Sequence, residues 1–216
     1  MTRPQQQPRL SLDVIVEVAA RLIAEEGYDA LNMRRLAKEC GVGVMTLYGY
    51  VRTKDDLLQA LANRLFHLVD LPDDENLPWD EHIARVLRSV RAVFLEHPEL
   101  LPITAMHRLD GTGAYRGAES LFRALEQAGL SGVQVVHAFD AMVAFTLGFV
   151  QREVGTDRAT PSPMPGLSAL NRDAYPRVIE LAGHMIARDT AAAFEAGLQM
   201  VIAGIAAAGA RDCAHH

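Results

Sequence analysis

Apolar side chains recur every three or four positions through most of the chain, which is the spacing of one face of an α-helix. Between Ser11 and Gly27 they predict a first helix, with Gly27 as a typical helix stop. No segment alternates apolar and polar residues as a half-buried strand does. The pattern therefore predicts an all-α protein with nine or ten helices.

The most specific stretch runs from Leu31 to Leu58 (LNMRRLAKECGVGVMTLYGYVRTKDDLL). Two short helical patterns flank the glycine turn at 40–43; Asn32 can cap the first, and the second covers 44–50. Thr53 can cap a further helix over 54–70. Two short helices joined by a glycine turn are typical of a helix-turn-helix, whose second helix lies in the DNA major groove.

More helices are predicted after residues 71–78, where Pro, Asp and Asn interrupt the pattern. Their ranges are 79–96, 99–108 with a bend at Pro102, 114–128, 133–154, 173–187 and 190–208. The Pro/Ser/Thr-rich segment 156–171 is expected to be a mobile loop. The predicted organisation is a flexible arm at 1–10, a DNA-binding domain at 11–55 with a linking helix at 54–70, and a ligand-binding and dimerisation domain at 71–210.

Helices 133–154 and 190–208 have more apolar surface than one small domain can cover. Small residues such as Gly197 and Gly204 permit close helix approach, so we expect these helices to form a two-fold, four-helix homodimer interface. Segment 190–210 is also long enough to cross a bilayer, but Glu195 and Gln199 interrupt it. An interface helix is therefore expected rather than a membrane span.

Charge is distributed unevenly along the chain. The formal net charge is −6, which disfavours a nonspecific polyanion binder. Residues 1–54 carry eight Lys/Arg and six Asp/Glu, so this head is at +2 and the rest at −8. That asymmetry is expected when only the head meets phosphates. Two cysteines and an N-terminal arm without an apolar run indicate a cytoplasmic protein without a disulfide framework.

The segment from Thr46 to Leu58 (TLYGYVRTKDDLL) resembles the tetracycline-repressor (TetR) family of bacterial transcription regulators. The family pattern LA-x-x-x-GV-x-x-x-TLY-x-(Y/H)-V-x-x-K-x-x-LL matches from Leu36 to Leu58. Residues 144–148 and 194–204 resemble, more weakly, the long C-terminal helices of the tetracycline repressor's own subgroup. The resemblance implies a regulator of double-stranded DNA with a small-molecule pocket among the helices of its second domain.

Two residues of the head are expected to position the protein on the DNA backbone. The family uses the tyrosine at Tyr48 there, and Lys54, in the first turn of a helix, can grip a phosphate. Tyr50 is also expected to take part in DNA binding, although part of its ring is expected to lie in the core. At Gly49, where the family usually has a large side chain, either the backbone approaches DNA closely or one contact is missing.

Four residues are expected to read the base sequence. The family places an arginine at Arg34 on a base or phosphate, and we expect Arg34 to be the main polar reader, with guanine a plausible target. Val44, Met45 and Thr46 open the recognition helix, the part that reaches base edges. Each residue alone could be a core or solvent-exposed side chain, so the DNA-binding hypothesis depends on their joint spacing.

Candidate ligand-binding residues of the second domain are apolar, with a few polar ones among them. For each one plain core packing is the more common role, and the hypothesis is a pocket for a moderately apolar small molecule with a polar group. The candidates are Val90, Phe94, His107, Phe122, His137, Asp140, Phe145 and Phe149.

The histidines do not indicate a metal site, because none forms the i, i+4 pair of a helical site and no cysteine joins them. The tetracycline repressor binds its drug with a divalent metal. An ungapped match to its inducer contacts falls on Asp70, Val86, Val90, Thr104 and Leu121, without the expected imidazoles and amides. Tetracycline–magnesium recognition is thus not expected unless a gap restores His107, and neither a metal nor another cofactor is predicted.

The resulting hypothesis is a ligand-responsive, homodimeric repressor that a small molecule releases from a palindromic operator. The alternative is a DNA-binding regulator with no small-molecule effector. An enzyme is not expected, because the chain contains no Gly-x-Ser-x-Gly elbow, phosphate loop or HExxH motif.

Overall fold

The computed structural model describes residues 10–74, 76–106, 111–158, 166–167, 170–187 and 189–213. These residues contain ten α-helices, two short 3-10 helices (Tyr28–Ala30 and Pro98–Leu100) and no strand, so the all-α prediction is confirmed. The α-helices are α1 (Leu12–Glu26), α2 (Met33–Glu39), α3 (Val44–Tyr48), α4 (Lys54–His67), α5 (Trp79–Glu96), α6 (Leu101–Met106), α7 (Thr112–Gln127), α8 (Val133–Arg158), α9 (Pro176–Ile186) and α10 (Thr190–Cys213).

Side-chain caps fix the starts of three head helices. The hydroxyl of Ser11 accepts from Val14 N at the start of α1, Asn32 Oδ1 accepts from Arg35 N at 2.9 Å, and Thr53 Oγ1 accepts from Asp56 N at 3.0 Å. Each cap satisfies a backbone donor that has no partner within the helix. Gly27 ends α1 at φ 88°, a conformation that favours glycine.

Several helix ends differ from the predicted ones. Helix α3 stops at Tyr48 and α4 at His67, whereas α8 continues past Gly155 to Arg158 and α10 continues to Cys213. Gly155 does not stop α8 because a glycine ends a helix mainly by adopting positive φ, and Gly155 does not adopt it. The predicted helix over 99–108 begins as the 3-10 turn and becomes α6, with Pro102 in the first turn.

The described residues form two compact units. The first comprises residues 1–77 and 85–123, so it contains the head, α4, most of α5, α6 and most of α7. Helix α1 packs on α2 and α4, α2 packs on α3, and α4 packs on α6. Its core is built from leucine, isoleucine, valine and phenylalanine, including Ile15, Ile23, Leu36, Leu47, Leu57, Leu58, Leu61, Leu87, Phe94 and Ile103.

The second unit comprises residues 78–84 and 124–216. Helices α8 and α10 pack together there around Phe194 and Leu198, which are fully buried. Gly209 allows a second close approach, since a Cβ on it would lie 2.0 Å from the carbonyl oxygen of Ala128.

Long apolar faces of the second unit remain uncovered. Val133 on α8 is 63 % exposed and Met200 on α10 is 74 % exposed. By length and composition alone, α8 and α10 are apolar enough to cross a membrane. Helix α9 has no buried residue, and five of its apolar or flanking side chains are exposed: Tyr175, Val178, Leu181, Met185 and Ile186.

Candidate DNA interface and effector site

Helix α3 has one fully buried side chain, Leu47, and its other side chains are exposed or half-buried. Leu47 is fully buried, whereas Met45 is 83 % exposed and Thr46 is also exposed. Val44, the first residue of α3, is half-buried. A five-residue helix held by one leucine leaves its N-terminal residues free to meet base edges, which is the geometry of a recognition helix.

Tyr48, Gly49 and Tyr50 form an exposed rim at the end of α3. Tyr50, expected to be partly core, is 47 % exposed. Gly49 has φ −69° and ψ −20°, a conformation open to any residue, and a Cβ there would lie 3.2 Å from the carbonyl oxygen of Thr46. The φ and ψ of Gly49 therefore do not require glycine, but a side chain there would press on the Thr46 carbonyl.

The adjacent arginines of α2 differ in their partners. Arg35 pairs with Glu26 at 2.7 Å and with Glu39 at 3.1 Å, so protein carboxylates neutralise its charge. Arg34 is exposed and has no ion-pair partner among the described residues. Of the two, Arg34 therefore offers its guanidinium to a ligand outside the chain.

Lys54 is the first residue of α4 and is half-buried. Its Nζ lies 5.0 Å from the centroid of the Tyr28 ring, within the range of a cation–π interaction. Burial, together with the charges of Asp55 and Asp29, raises the pKa of the Tyr28 phenol, which therefore stays protonated at neutral pH. Tyr28 precedes Lys54 by 26 residues and lies in another element, so no local sequence pattern connects the two.

The C-terminal part of α4 is tied to α5 and α7 within the first unit. The side-chain oxygen of Asn63 accepts from Gly113 N at 2.6 Å, and the Phe66 and Phe94 rings meet edge to face at 5.9 Å. Beyond α4, Asp70 accepts from Arg85 at 2.8 and 2.9 Å. A displacement of α5 or α7 would therefore also displace α4, the helix that begins at Lys54.

The candidate ligand residues fall into several places. Phe94 is buried and Val90 and Phe122 are half-buried in the first unit, whereas Phe145 and Phe149 are half-buried on α8 in the second. His137 and Asp140 are exposed on α8, and His107 lies outside the described residues. The seven described candidates are thus divided between the two units.

Phe145 and Phe149 belong to an aromatic cluster completed by Phe194, with ring centroids 5.4 to 5.6 Å apart. Thr146, between them on α8, is buried, and its Oγ1 has no hydrogen-bond partner among the described residues. An unsatisfied buried hydroxyl costs about 1–3 kcal/mol, so a polar ligand atom would be stabilising there. Neither Phe194 nor Thr146 was among the predicted ligand residues, since apolar spacing alone does not separate them from ordinary core residues.

An open groove of about 670 Å³ runs between α8 and α10. It is lined by small, apolar and a few polar residues: Leu130, Gln134, His137, Ala138, Ala141, Met200, Val201, Gly204, Ile205, Ala208 and Arg211. In the described part of the chain, no three His, Cys, Asp or Glu residues lie close enough together to hold a metal ion.

Two family models match the chain. Residues 15–61 match the model for bacterial regulatory proteins of the tetR family, and residues 71–208 match the model for the tetracycline repressor-like C-terminal domain. The chain belongs to the TetR family. It is therefore a helix-turn-helix transcriptional regulator and not an enzyme, as the head pattern predicted.

Relatives in this family match nearly the whole chain. An HTH-type transcriptional regulator of Saccharopolyspora erythraea is 32 % identical, over 95 % of this chain and 90 % of its own. The class A tetracycline repressor from transposon 1721 of Escherichia coli is 30 % identical, over 92 % and 91 % of the two chains.

ActR of Streptomyces coelicolor provides solved structures for comparison. Its apo form superposes with a TM-score of 0.85 at 30 % identity, covering 96 % of this chain and 99 % of ActR. ActR has also been crystallised with actinorhodin; that structure has the same TM-score and identity and covers 93 % and 98 % of the two chains.

Proposed function

We propose that this protein is a homodimeric repressor of the bacterial cytoplasm that binds a palindromic operator and leaves it when a small molecule binds the helices after the head. The observation that carries the DNA part is the exposure of Met45, Thr46 and Arg34 around the buried anchor Leu47. Exposed apolar and donor groups at the start of a recognition helix suit base-edge contacts.

The DNA contacts divide into two classes. Tyr48 and Lys54 bind phosphates and set the position of the head, whereas Arg34, Val44, Met45 and Thr46 read the sequence. Loss of a phosphate contact weakens binding to all sequences about equally, and loss of a base contact changes the preferred sequence. Duplexes enriched from a random library by the wild-type protein supply the operator for the test.

Lys54→Ala should weaken binding to the enriched duplex and to a random duplex about tenfold or more in fluorescence anisotropy. The slope of log affinity against log salt should become shallower by about one. Arg35→Ala is the matched control, because it removes the same charge from a residue already paired with Glu26 and Glu39. If both substitutions weakened DNA binding equally, the loss of affinity would be explained by net charge alone, and the phosphate contact of Lys54 would be contradicted.

The uncovered faces of α8 and α10 support the homodimer. A second copy laid across the α8–α10 groove would bury side chains such as Met200, and Gly204 allows its helices to approach closely. Burial of apolar surface contributes about 25 cal/mol per Å², so two long helices per subunit can hold a stable dimer.

Met200→Glu tests this interface by sedimentation at micromolar concentration. The exposed position tolerates a carboxylate in one copy, but the charge would be buried without a partner between two copies, so the variant should sediment as a monomer. Met45→Glu, an equal change at an exposed methionine of the head, should remain dimeric. A wild-type monomer, or a dimer in Met200→Glu, would contradict the proposed interface.

Release from DNA would pass through α4. This helix begins at the phosphate-binding Lys54 and is held at Asn63 and Phe66 by α7 and α5. A ligand that prefers one arrangement of these helices shifts the head between binding and non-binding positions by its difference in affinity. Replacement of one partner of these ties should therefore reduce ligand response more than it reduces operator affinity.

The effector is a moderately apolar molecule with at least one polar group. The aromatic cluster around Phe145 and the unsatisfied hydroxyl of Thr146 support this chemistry, and the related ActR has been crystallised with the small molecule actinorhodin. A ligand that binds the folded state raises the melting temperature, so a thermal-shift screen with apolar aromatic compounds tests the proposal. Hits should also displace the operator in anisotropy.

A regulator without a small-molecule effector is the second candidate. The ring of Phe145 packs so closely on Gly197 that a Cβ there would lie 2.6 Å from the ring, which is the packing of a filled core. No stabilisation across the screen, with operator binding intact, would favour this alternative.

A further inference from the structure

The cation–π contact between Lys54 and Tyr28 joins two rigid elements of the head. Tyr28 starts a 3-10 turn that Gly27 directs away from α1, and the Leu31 N–H donates to the Tyr28 carbonyl at 3.2 Å. Lys54 starts α4, directly after the Thr53 cap. The backbones at Tyr28 and Lys54 are both held by hydrogen bonds. The 5.0 Å separation of the Lys54 ammonium and the Tyr28 ring therefore follows from the packing of α1 on α4.

Two other cations of the head, Arg35 and Arg52, are held by carboxylates. Arg35 pairs with Glu26 and Glu39, and Arg52 lies 3.8 Å from Asp56. Lys54 has no ion-pair partner among the described residues. A carboxylate would neutralise the charge and use the N–H donors of the ammonium, whereas an aromatic face holds a cation without doing either.

Lysine has a long side chain with many rotamers, and part of this rotamer entropy is lost whenever its ammonium is fixed on a phosphate. A side chain already restricted in the free protein loses less on binding, and affinity rises accordingly. The Tyr28 ring restricts Lys54 before DNA arrives and leaves its charge and donors available for a phosphate.

We infer that Tyr28 is a positioning residue for operator binding, holding the Lys54 ammonium ready for a DNA phosphate. The inference rests on the proposed phosphate contact of Lys54. Tyr28 acts through Lys54, so its contribution should be the same on every DNA sequence. The strength of exposed cation–π contacts corresponds to about a two- to fivefold change in affinity.

A double-mutant cycle with Tyr28→Leu and Lys54→Ala tests the inference by fluorescence anisotropy, on both an enriched and a random duplex. Tyr28→Leu alone should weaken binding to both duplexes two- to fivefold, and Tyr28→Phe, which keeps an aromatic face, should restore most of the affinity. In the Lys54→Ala background, Tyr28→Leu should cost nothing further, because the cation that it positions is gone. The matched control is Tyr28→Leu in the Arg35→Ala background, where its full effect should persist.

Equal losses from Tyr28→Leu with and without Lys54 would overturn the inference, since a purely structural role of the ring, or a variant that folds poorly, weakens binding in both backgrounds. An unchanged affinity in Tyr28→Leu would overturn it while leaving the Lys54 contact in place. If Lys54→Ala itself changes nothing, the contact and the inference both fail, but the regulator function stands. Failure of the wild-type protein to enrich any duplex would instead overturn the proposed function.

Discussion

Gly113→Ala tests the close contact between α4 and α7 most directly. A Cβ on Gly113 would lie 2.6 Å from the backbone carbonyl oxygen of Asn63, 3.0 Å from its Oδ1 and 3.1 Å from Cβ of Phe66. The shortest of these distances is about 0.8 Å below the 3.4 Å at which ordinary contacts begin. A backbone oxygen cannot rotate away, so α4 or the start of α7 must shift.

The cost combines two effects. Overpacking a fitted contact typically costs about 1–3 kcal/mol. The 2.6 Å hydrogen bond from Gly113 N to Asn63 would also be stretched, and its loss contributes about 1 kcal/mol more. The alanine recovers about 0.5–1 kcal/mol through its better helix propensity. A net loss of about 1–3.5 kcal/mol lowers the melting temperature of a chain of this size by about 2–14 °C.

Thermal unfolding followed by circular dichroism measures this shift, and Gly117→Ala is the matched control. Gly117 lies one turn later in the same helix, and a Cβ there would meet nothing within 4 Å. Gly117→Ala should leave the melting temperature unchanged or raise it. A melting temperature for Gly113→Ala at or above the wild-type value would refute the steric argument.

Three further outcomes follow from close contacts and burial. Gly209→Ala should destabilise the fold more than Gly113→Ala, because its Cβ would lie 2.0 Å from the Ala128 carbonyl oxygen. Gly148→Ala is the control and should not destabilise the fold, since a Cβ there would meet nothing within 4 Å. Comparison of the melting temperatures tests both expectations. Burial raises the pKa of the Cys40 thiol, with Arg21 only partly opposing it, so maleimide should label a Cys213→Ser variant more slowly at pH 7 than after unfolding in urea. That rate should rise as pH is raised, since the thiolate is the reacting form, and equal rates in the folded and unfolded states would contradict the burial.

The head was predictable because its signals are local. Asn32 and Thr53 each satisfy a backbone N–H three residues away, and Gly27 stops α1 by its own φ. Such contacts depend on side chains a few positions apart, which the sequence shows directly. The Tyr28–Lys54 contact could not be predicted in this way, because it forms only when α1 and α4 pack together.

The candidate ligand-binding residues were harder to predict from the sequence, for a physical reason. Apolar spacing identifies the inner face of a helix only when the other face is polar. Helix α8 has apolar residues on both faces: Met142 and Val150 are buried, whereas Val133 and Val136 are exposed. His137, predicted as a polar residue of a ligand pocket, lines the open groove beside α10.

The same two-sided pattern raises the question whether a membrane or, as proposed, a second protein copy covers α8 and α10. Both helices pass the length and hydropathy test for a membrane span, and only 22 % of the most apolar window of each is buried in one copy. A lipid environment, however, would enclose ionisable side chains such as Asp140 and Glu195, and each charged group near the bilayer centre costs about 2.5–3.5 kcal/mol. In the proposed homodimer, the second copy would cover the apolar strip at Met200 and Gly204, in the groove that Arg211 and His137 also line. The uncovered surface therefore supports the proposed homodimer rather than a membrane span.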